Sequence, residues 1–305
     1  MSDVLTTTSA GVDNDLQTYF DRMVLKNAKY QTKLDQFGRK TKVPAHGGTT
    51  IQFVKYDDLS TVSSTLTEGV APDAVALSTS KITATLDQLG SVVKLTDLAA
   101  LTPNHDAVQN GLRLLGTQAA RSYDLKVNGV VVAGTGVIYS GSSNTARTDI
   151  AAGDIAKMSD FAQAVTNLRN NGAQEFADGN FVAVIDPTTE MNLMADSAFR
   201  DAAIRNGLGT KGEVYRGEIA TFNGIRFVRS NNIPTISSTV TVHTSYVFGQ
   251  DAYAVTDWQS LKTYREGPGG VNDPLHQIMT LGWKVAFKAA ILNNNFMQRI
   301  ESAGV

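Results

Sequence analysis

The chain has no cysteine among its 305 residues, which excludes a disulfide framework, a thiolate metal site and a cysteine nucleophile. Histidine is scarce too. His46, His105, His243 and His276 stand far apart, and no His-Glu-x-x-His pair exists, so each reads as an exposed or capping side chain rather than a metal ligand. Charged residues make up only 18% of the chain, against the usual quarter, while apolar residues reach 42%. Such a chain is globular, and it leans toward covering part of its surface with protein. The net charge of −2 gives no overall attraction to nucleic acid. No apolar run approaches the ~20 residues that cross a bilayer, and no membrane partner is expected. The opening "MSDVLTTTSAGVDNDLQ" is polar and acidic, unlike a secretory signal, so we expect a cytosol-like compartment.

Catalytic motifs are missing as well. Gly207-Leu208-Gly209-Thr210-Lys211-Gly212 has dinucleotide-loop spacing, but it leaves a predicted helix and opens a strand, the reverse of what pyrophosphate binding needs. No Gly-x-Ser-x-Gly elbow is present. Asp57-Asp58 is the one adjacent acid pair, and neighbouring strand residues point to opposite faces. No catalytic residue, cofactor or metal is predicted. An α+β hydrolase is the competing enzyme reading, and no motif supports it.

The hydrophobic pattern describes an elongated subunit. Residues 13–36 read as a helix through Leu16, Tyr19, Phe20, Met23 and Val24, and 38–49 as a loop. Strands over about 50–57 and 80–95 are expected to pair across a connector far longer than a hairpin loop. Residues 101–129 form the best helix, with Thr102 as N-cap, Pro103 at the first turn and Gly129 at the end. Val108, Leu112, Leu115, Ala119, Tyr123 and Val127 share its apolar stripe. At ~1.5 Å per residue it spans about 40 Å, the length of a spine. "GVVVAGTGVIYSG" is strand-like. A central α+β region, about 150–255, holds a helix over about 154–171, a buried strand over 181–186, a helix begun by Asp186-Pro187, another in "SAFRDAAIRN", and a hairpin turning on Asn223-Gly224. From Met279 to Ile291 apolar and other residues alternate unbroken in one long strand, which turns at Asn293–Asn295.

One charge cluster stands out. Arg22, Lys26, Lys29, Lys33, Arg39, Lys40 and Lys42 face only Asp21 and Asp35. This is a solvated helix face with a basic loop, or a segment near a polyanion; the sequence leaves both open.

Five segments together resemble one family: "LTEGVAPDAVALSTSKITATLDQLGSVVKLTDL" (66–98), "VVVAGTGVIYSG" (130–141), "FVAVIDPTTEMNLMADSAFR" (181–200), "GEIATFNGIRFVRSNN" (217–232) and "NDPLHQIMTLGWKVAFKAAILNNNFMQRIE" (272–301). The most specific pieces are Leu66-Thr67-Glu68-Gly69 and Asp273-Pro274-Leu275 followed by Gly282-Trp283-Lys284. This resembles an N4-type major capsid protein of tailed bacteriophages, with the α+β fold called Hong Kong 97-type. The resemblance implies an N-terminal arm (1–49), an extended two-stranded loop (50–98), a peripheral domain (99–149 and 256–305) with a spine helix over 103–128, and an axial domain (150–255). It implies hexamers and pentamers of an icosahedral shell around double-stranded DNA, built in the host cytoplasm with scaffolding, portal and decoration proteins as further partners. Leu66, Glu68, Val70, Val75 and Leu77 would lie in the inter-subunit arm, and the basic run at 22–42 would face DNA or brace the shell. A cellular nanocompartment shell with the same fold is the alternative. Some relatives join a Lys to an Asn covalently; Lys81 and Asn293–Asn295 invite that comparison, but nothing marks the carboxylate such a bond needs.

Overall fold

The computed structural model describes Val24 and residues 32–42, 48–56, 59, 62–63, 65, 68–69, 74–96, 107–141, 143–197, 199, 218–266, 275 and 277–304. Three sheets and three α-helices are seen among them. The first sheet has four strands in the order β1 (Arg39–Lys42), β11 (Tyr253–Glu266), β12 (Ile278–Ile291) and β4 (Asp87–Thr96). β1 runs parallel to β11, and the other pairs are antiparallel. The strict alternation along β12 gives it two different faces. Leu281, Trp283, Val285, Phe287 and Ala289 pack into the main core. Covering them is the spine helix, α1 (Ala107–Val131), which at ~1.5 Å per residue is about 37 Å long. Its Leu112, Leu115, Ala119 and Val127 are buried as the stripe predicts, and Tyr123 stacks on Phe287 at 4.1 Å between ring centroids.

The second sheet runs β5 (Val137–Tyr139), β13 (Met297–Ala303), β10 (Thr241–Phe248), β6 (Phe181–Ile185), β8 (Ile225–Arg229), β7 (Glu218–Phe222), with β9 (Ile236–Ser237) on the side of β10. Every residue of β6 is buried because both faces of this sheet are covered. Phe181, Ala183 and Ile185 meet α2 (Met158–Asn170) through Phe161, Ala164 and Leu168. Val182 and Val184 join the main core beneath α1. The β7–β8 hairpin turns on Asn223 and Gly224 with φ of 52° and 74°, the left-handed pair that a two-residue type I′ turn requires. Asp186 caps α3 (Pro187–Ala195) by accepting the Thr189 N–H at 3.1 Å.

Several expectations change. Residues 39–42, read as loop, are a strand, because parallel pairing with β11 supplies hydrogen bonds that no local pattern signals. The helix read over 13–36 does not reach its expected end: residues 32–33 are non-helical and Leu34–Gln36 form a single 3₁₀ turn, while most of 13–31 lies outside the described residues. α1 runs past Gly129 to Val131, since Val127 and Val131 are both fully buried and the core rewards the extra turn. The segment read as strand-like over 129–141 is therefore strand only at 137–139. The Thr102 and Pro103 start, the 207–212 glycine loop and most of "SAFRDAAIRN" fall outside the described residues. Hydrogen bonding also crosses the expected limits of the middle region: β5 and β13, from either side of 150–255, complete its sheet.

Candidate assembly surface

The third sheet is a two-stranded ribbon, β2 (Thr50–Tyr56) paired antiparallel with β3 (Thr79–Thr85), from Thr50↔Thr85 to Tyr56↔Thr79. The strand expected over 80–95 is in fact two. It divides at Leu86, whose N–H bonds to the Thr49 carbonyl at 3.0 Å, and the second half becomes β4, the edge of the four-stranded sheet. The ribbon is thus an outgrowth of that edge. Ile51, Phe53 and Ile82 are half-buried on one side, while Val54 opposite Lys81 is exposed.

Between the ribbon strands, every described residue from Leu59 to Ser78 is exposed. Val62 is 77% exposed, Val75 60% and Leu77 61%. Glu68 is exposed at a turn, and Gly69 beside it has φ of 80°. Leu66 and Val70 lie outside the described residues. Apolar side chains in one exposed segment, with open strand edges beneath them, make this the candidate contact surface.

Among the predicted basic residues, Arg22, Lys26 and Lys29 lie outside the described residues. The rest are brought onto the body rather than left on a free arm. Leu34 and Phe37 are buried in the main core. Asp124 of α1, only 1% exposed, accepts the backbone N–H groups of Lys33 (3.2 Å) and Leu34 (3.1 Å) and the Asn232 amide (3.2 Å). Burial pushes the Asp124 carboxyl above its ordinary range, with those three hydrogen bonds pulling the other way. Tyr253 donates to the Leu34 carbonyl at 2.6 Å, and Tyr123 donates to Asp35 at 2.8 Å. Burial, together with Asp35 and Asp257 nearby, holds the Tyr123 hydroxyl well above its usual range. Lys40 pairs with Asp35, and Arg39 lies 4.0 Å from Asp251, so part of the charge in this run is met internally. Lys42 ends β1 beside Asp257.

Three further exposed bases that the sequence reading missed lie on α1. Arg113, Arg121 and Lys126 are exposed and form no ion pair with a described residue, and Leu114 and Leu125 are exposed beside them. The helix has one acid, Asp124, and it points inward. The signal was present in the sequence as three bases outside the apolar stripe of a helix with a single acid.

The deepest ion cluster ties the chain's last strand to the loop before α2. Glu301, fully buried, accepts two bonds of 2.7 Å from Arg147 and lies 2.7 Å from Arg299 Nε. Glu301 is walled in by sheet and loop while Arg147 stays partly exposed, and the cluster ties the two segments together. Among the described residues no group of three or more His, Asp or Glu is placed to hold a metal ion.

Comparisons with known proteins point to one family and one fold. A family model described as phage capsid protein matches residues 79–297. The capsid of cyanophage P-SCSP1u superposes with a TM-score of 0.67 at 19% identity, over 90% of this chain and 89% of that one. The capsid of Ralstonia phage GP4 gives 0.67 at 12% identity, over 90% and 92%. A virus-like particle from Pyrococcus furiosus gives 0.57 at 11% identity, over 94% and 99%. At these identities the likeness is one of fold. No protein with a curated description matches the sequence.

Proposed function

The chain belongs to the phage capsid protein family and has the Hong Kong 97-type fold, and from that premise we propose how it builds its shell. It is a structural protein of the virion capsid, assembling with copies of itself. In our reading it is of the N4 type, forms hexamers and pentamers of an icosahedral shell, and encloses double-stranded DNA. Assembly takes place in the host cytoplasm with scaffolding, portal and decoration partners. Residues 1–49 act as arm, 50–98 as extended loop, 99–149 with 256–305 as peripheral domain, and 150–255 as axial domain.

The observation that carries this reading is the ribbon whose connecting segment is exposed throughout its described length yet bears Val62, Val75 and Leu77. A lone subunit gains nothing from those side chains. Leu66, Glu68, Val70, Val75 and Leu77 become useful when a neighbour covers them, each large apolar side chain then contributing roughly 1.5–3 kcal/mol. The polyanion side is supported by the basic run at 22–42 and by Arg113, Arg121 and Lys126 on α1.

The test is to express the full chain, supply scaffolding partners, and image it by negative-stain electron microscopy beside a variant lacking 60–78. Closed particles from the parent and folded, non-assembling subunits from the deletion are expected. Particles from the deletion as abundant as the parent's would refute the role of the arm. The nanocompartment alternative draws support from the fold shared with the Pyrococcus furiosus particle. Nuclease-resistant DNA inside particles made during infection separates the two, since a nanocompartment would hold protein cargo instead.

A further inference from the structure

Two strand edges border one groove. β1 ends the four-stranded sheet and β2 pairs with β3 alone, so each has an edge that no described strand covers. Between them lies a cleft of about 560 Å³, with Arg39 of β1 on one side and residues 52–55 of β2 on the other. That volume is within the ~300–1,000 Å³ of ligand sites. The register fixes which way the β2 backbone faces. Leu86 donates to the Thr49 carbonyl, and antiparallel pairs alternate, so Ile51, Phe53 and Lys55 bond to β3. The N–H and C=O groups of Gln52 and Val54 therefore point outward, at the open edge. The side chains of Gln52, Gln174 and Gln250 line the groove, all exposed and none hydrogen-bonded among the described residues. Lys55 forms no ion pair with a described residue, and Arg39 meets the groove's one acid, Asp251, only at 4.0 Å.

We propose that this groove takes an extended acidic peptide of a partner protein, which adds a strand to the free edge of β2. A peptide backbone alternates donors and acceptors, which suits Gln52 and Val54 along the edge and the glutamine amides around it. Two cations against one acid favour carboxylates on the incoming strand. Phosphate or nucleic acid would use the same cations but leave the strand edge unpaired. One wall of the groove belongs to the ribbon and the other to the body, so a bound strand ties the two together. The inference goes beyond the shell reading, and unassembled subunits test it whether or not particles form.

The probe is a fluorescein-labelled, end-capped peptide of alternating valine and glutamate, titrated into unassembled full-length protein and followed by anisotropy. Saturable binding is expected, about tenfold or more tighter than for the valine–lysine counterpart. R39E/K55E should reverse that preference. V54P removes an N–H at the open edge, where a strand tolerates proline, and should weaken the glutamate peptide about tenfold with the parent's circular dichroism retained. A second readout needs no variant: bound peptide should slow amide hydrogen exchange at Gln52 and Val54 and leave Ile51 and Phe53 little changed. No saturable binding up to about 1 mM, equal binding of both peptides, or no added protection at Gln52 and Val54 would overturn the proposal. Self-association of subunits that V54P abolishes would give the groove to a second copy and overturn it too. So would loss of DNA binding in R39E/K55E with no change for the peptide.

Discussion

Replacing Asp124 with alanine should detach the segment at 33–37 from α1. The carboxylate accepts three hydrogen bonds, and the Leu34 N–H among its donors is buried. An unsatisfied buried donor costs ~1–3 kcal/mol. Leu34 bears that in full, while Lys33 and Asn232 are partly buried and recover some hydration, so the net loss should be about 3–4 kcal/mol. Asp124→Asn keeps a carbonyl for both N–H groups and should lose about 1 kcal/mol or less. The two variants also differ in pH response. Burial raises the Asp124 pKa in the fold above its unfolded value. This group's contribution is then fully present below the unfolded value near ~4 and is lost as pH rises through the folded value. D124N lacks that titration, so its deficit relative to the parent should shrink as pH rises toward neutrality. Urea denaturation of unassembled subunits across pH, with hydrogen exchange at the Leu34 amide, measures both effects. D124A within 0.5 kcal/mol of the parent, or D124N as unstable as D124A, would refute the reasoning.

Two further outcomes follow from the charge pattern. Glu301→Ala strands Arg299 in a site it shares with no other acid among the described residues, and should cost about 3–5 kcal/mol in denaturant unfolding, with Glu301→Gln losing less. The triple variant R113Q/R121Q/K126Q should leave subunit stability within about 0.5 kcal/mol of the parent. It should also flatten the salt dependence of DNA binding, by about 2.7 in the slope of log K against log salt if all three meet phosphates; an unchanged slope would remove α1 from the DNA-facing surface.

What the sequence revealed followed from local periodicity. The α1 stripe, the alternation along β12, the Asn223-Gly224 turn and the strand patterns at 50–56 and 79–85 all leave their mark within a few residues of themselves. What it hid depends on partners distant in the chain. β1 looks like a basic loop until β11 is beside it, and the division of one apparent strand at Leu86 shows only when β12 claims the second half. The same holds for the surface. Val75 and Leu77 were legible because a polar segment with no core to fill stands out, whereas the groove that gathers Gln52, Gln174 and Gln250 exists only once distant segments meet.

The single residue between β3 and β4 makes the ribbon a lever with its fulcrum at Leu86. Seven residues at ~3.3 Å each reach about 23 Å from that point. A tilt of about 10° there carries the far end some ~4 Å, close to the ~4.8 Å spacing of adjacent strands. A neighbour gripping the ribbon tip therefore sets the angle of a backbone that continues, unbroken, as the edge of the sheet beneath α1. In the shell proposed above, rings of five and rings of six would present different angles between neighbours. If the ribbon bends at Leu86, one chain meets both angles with its main core unchanged, and local curvature is absorbed at a peptide joint rather than in the packing.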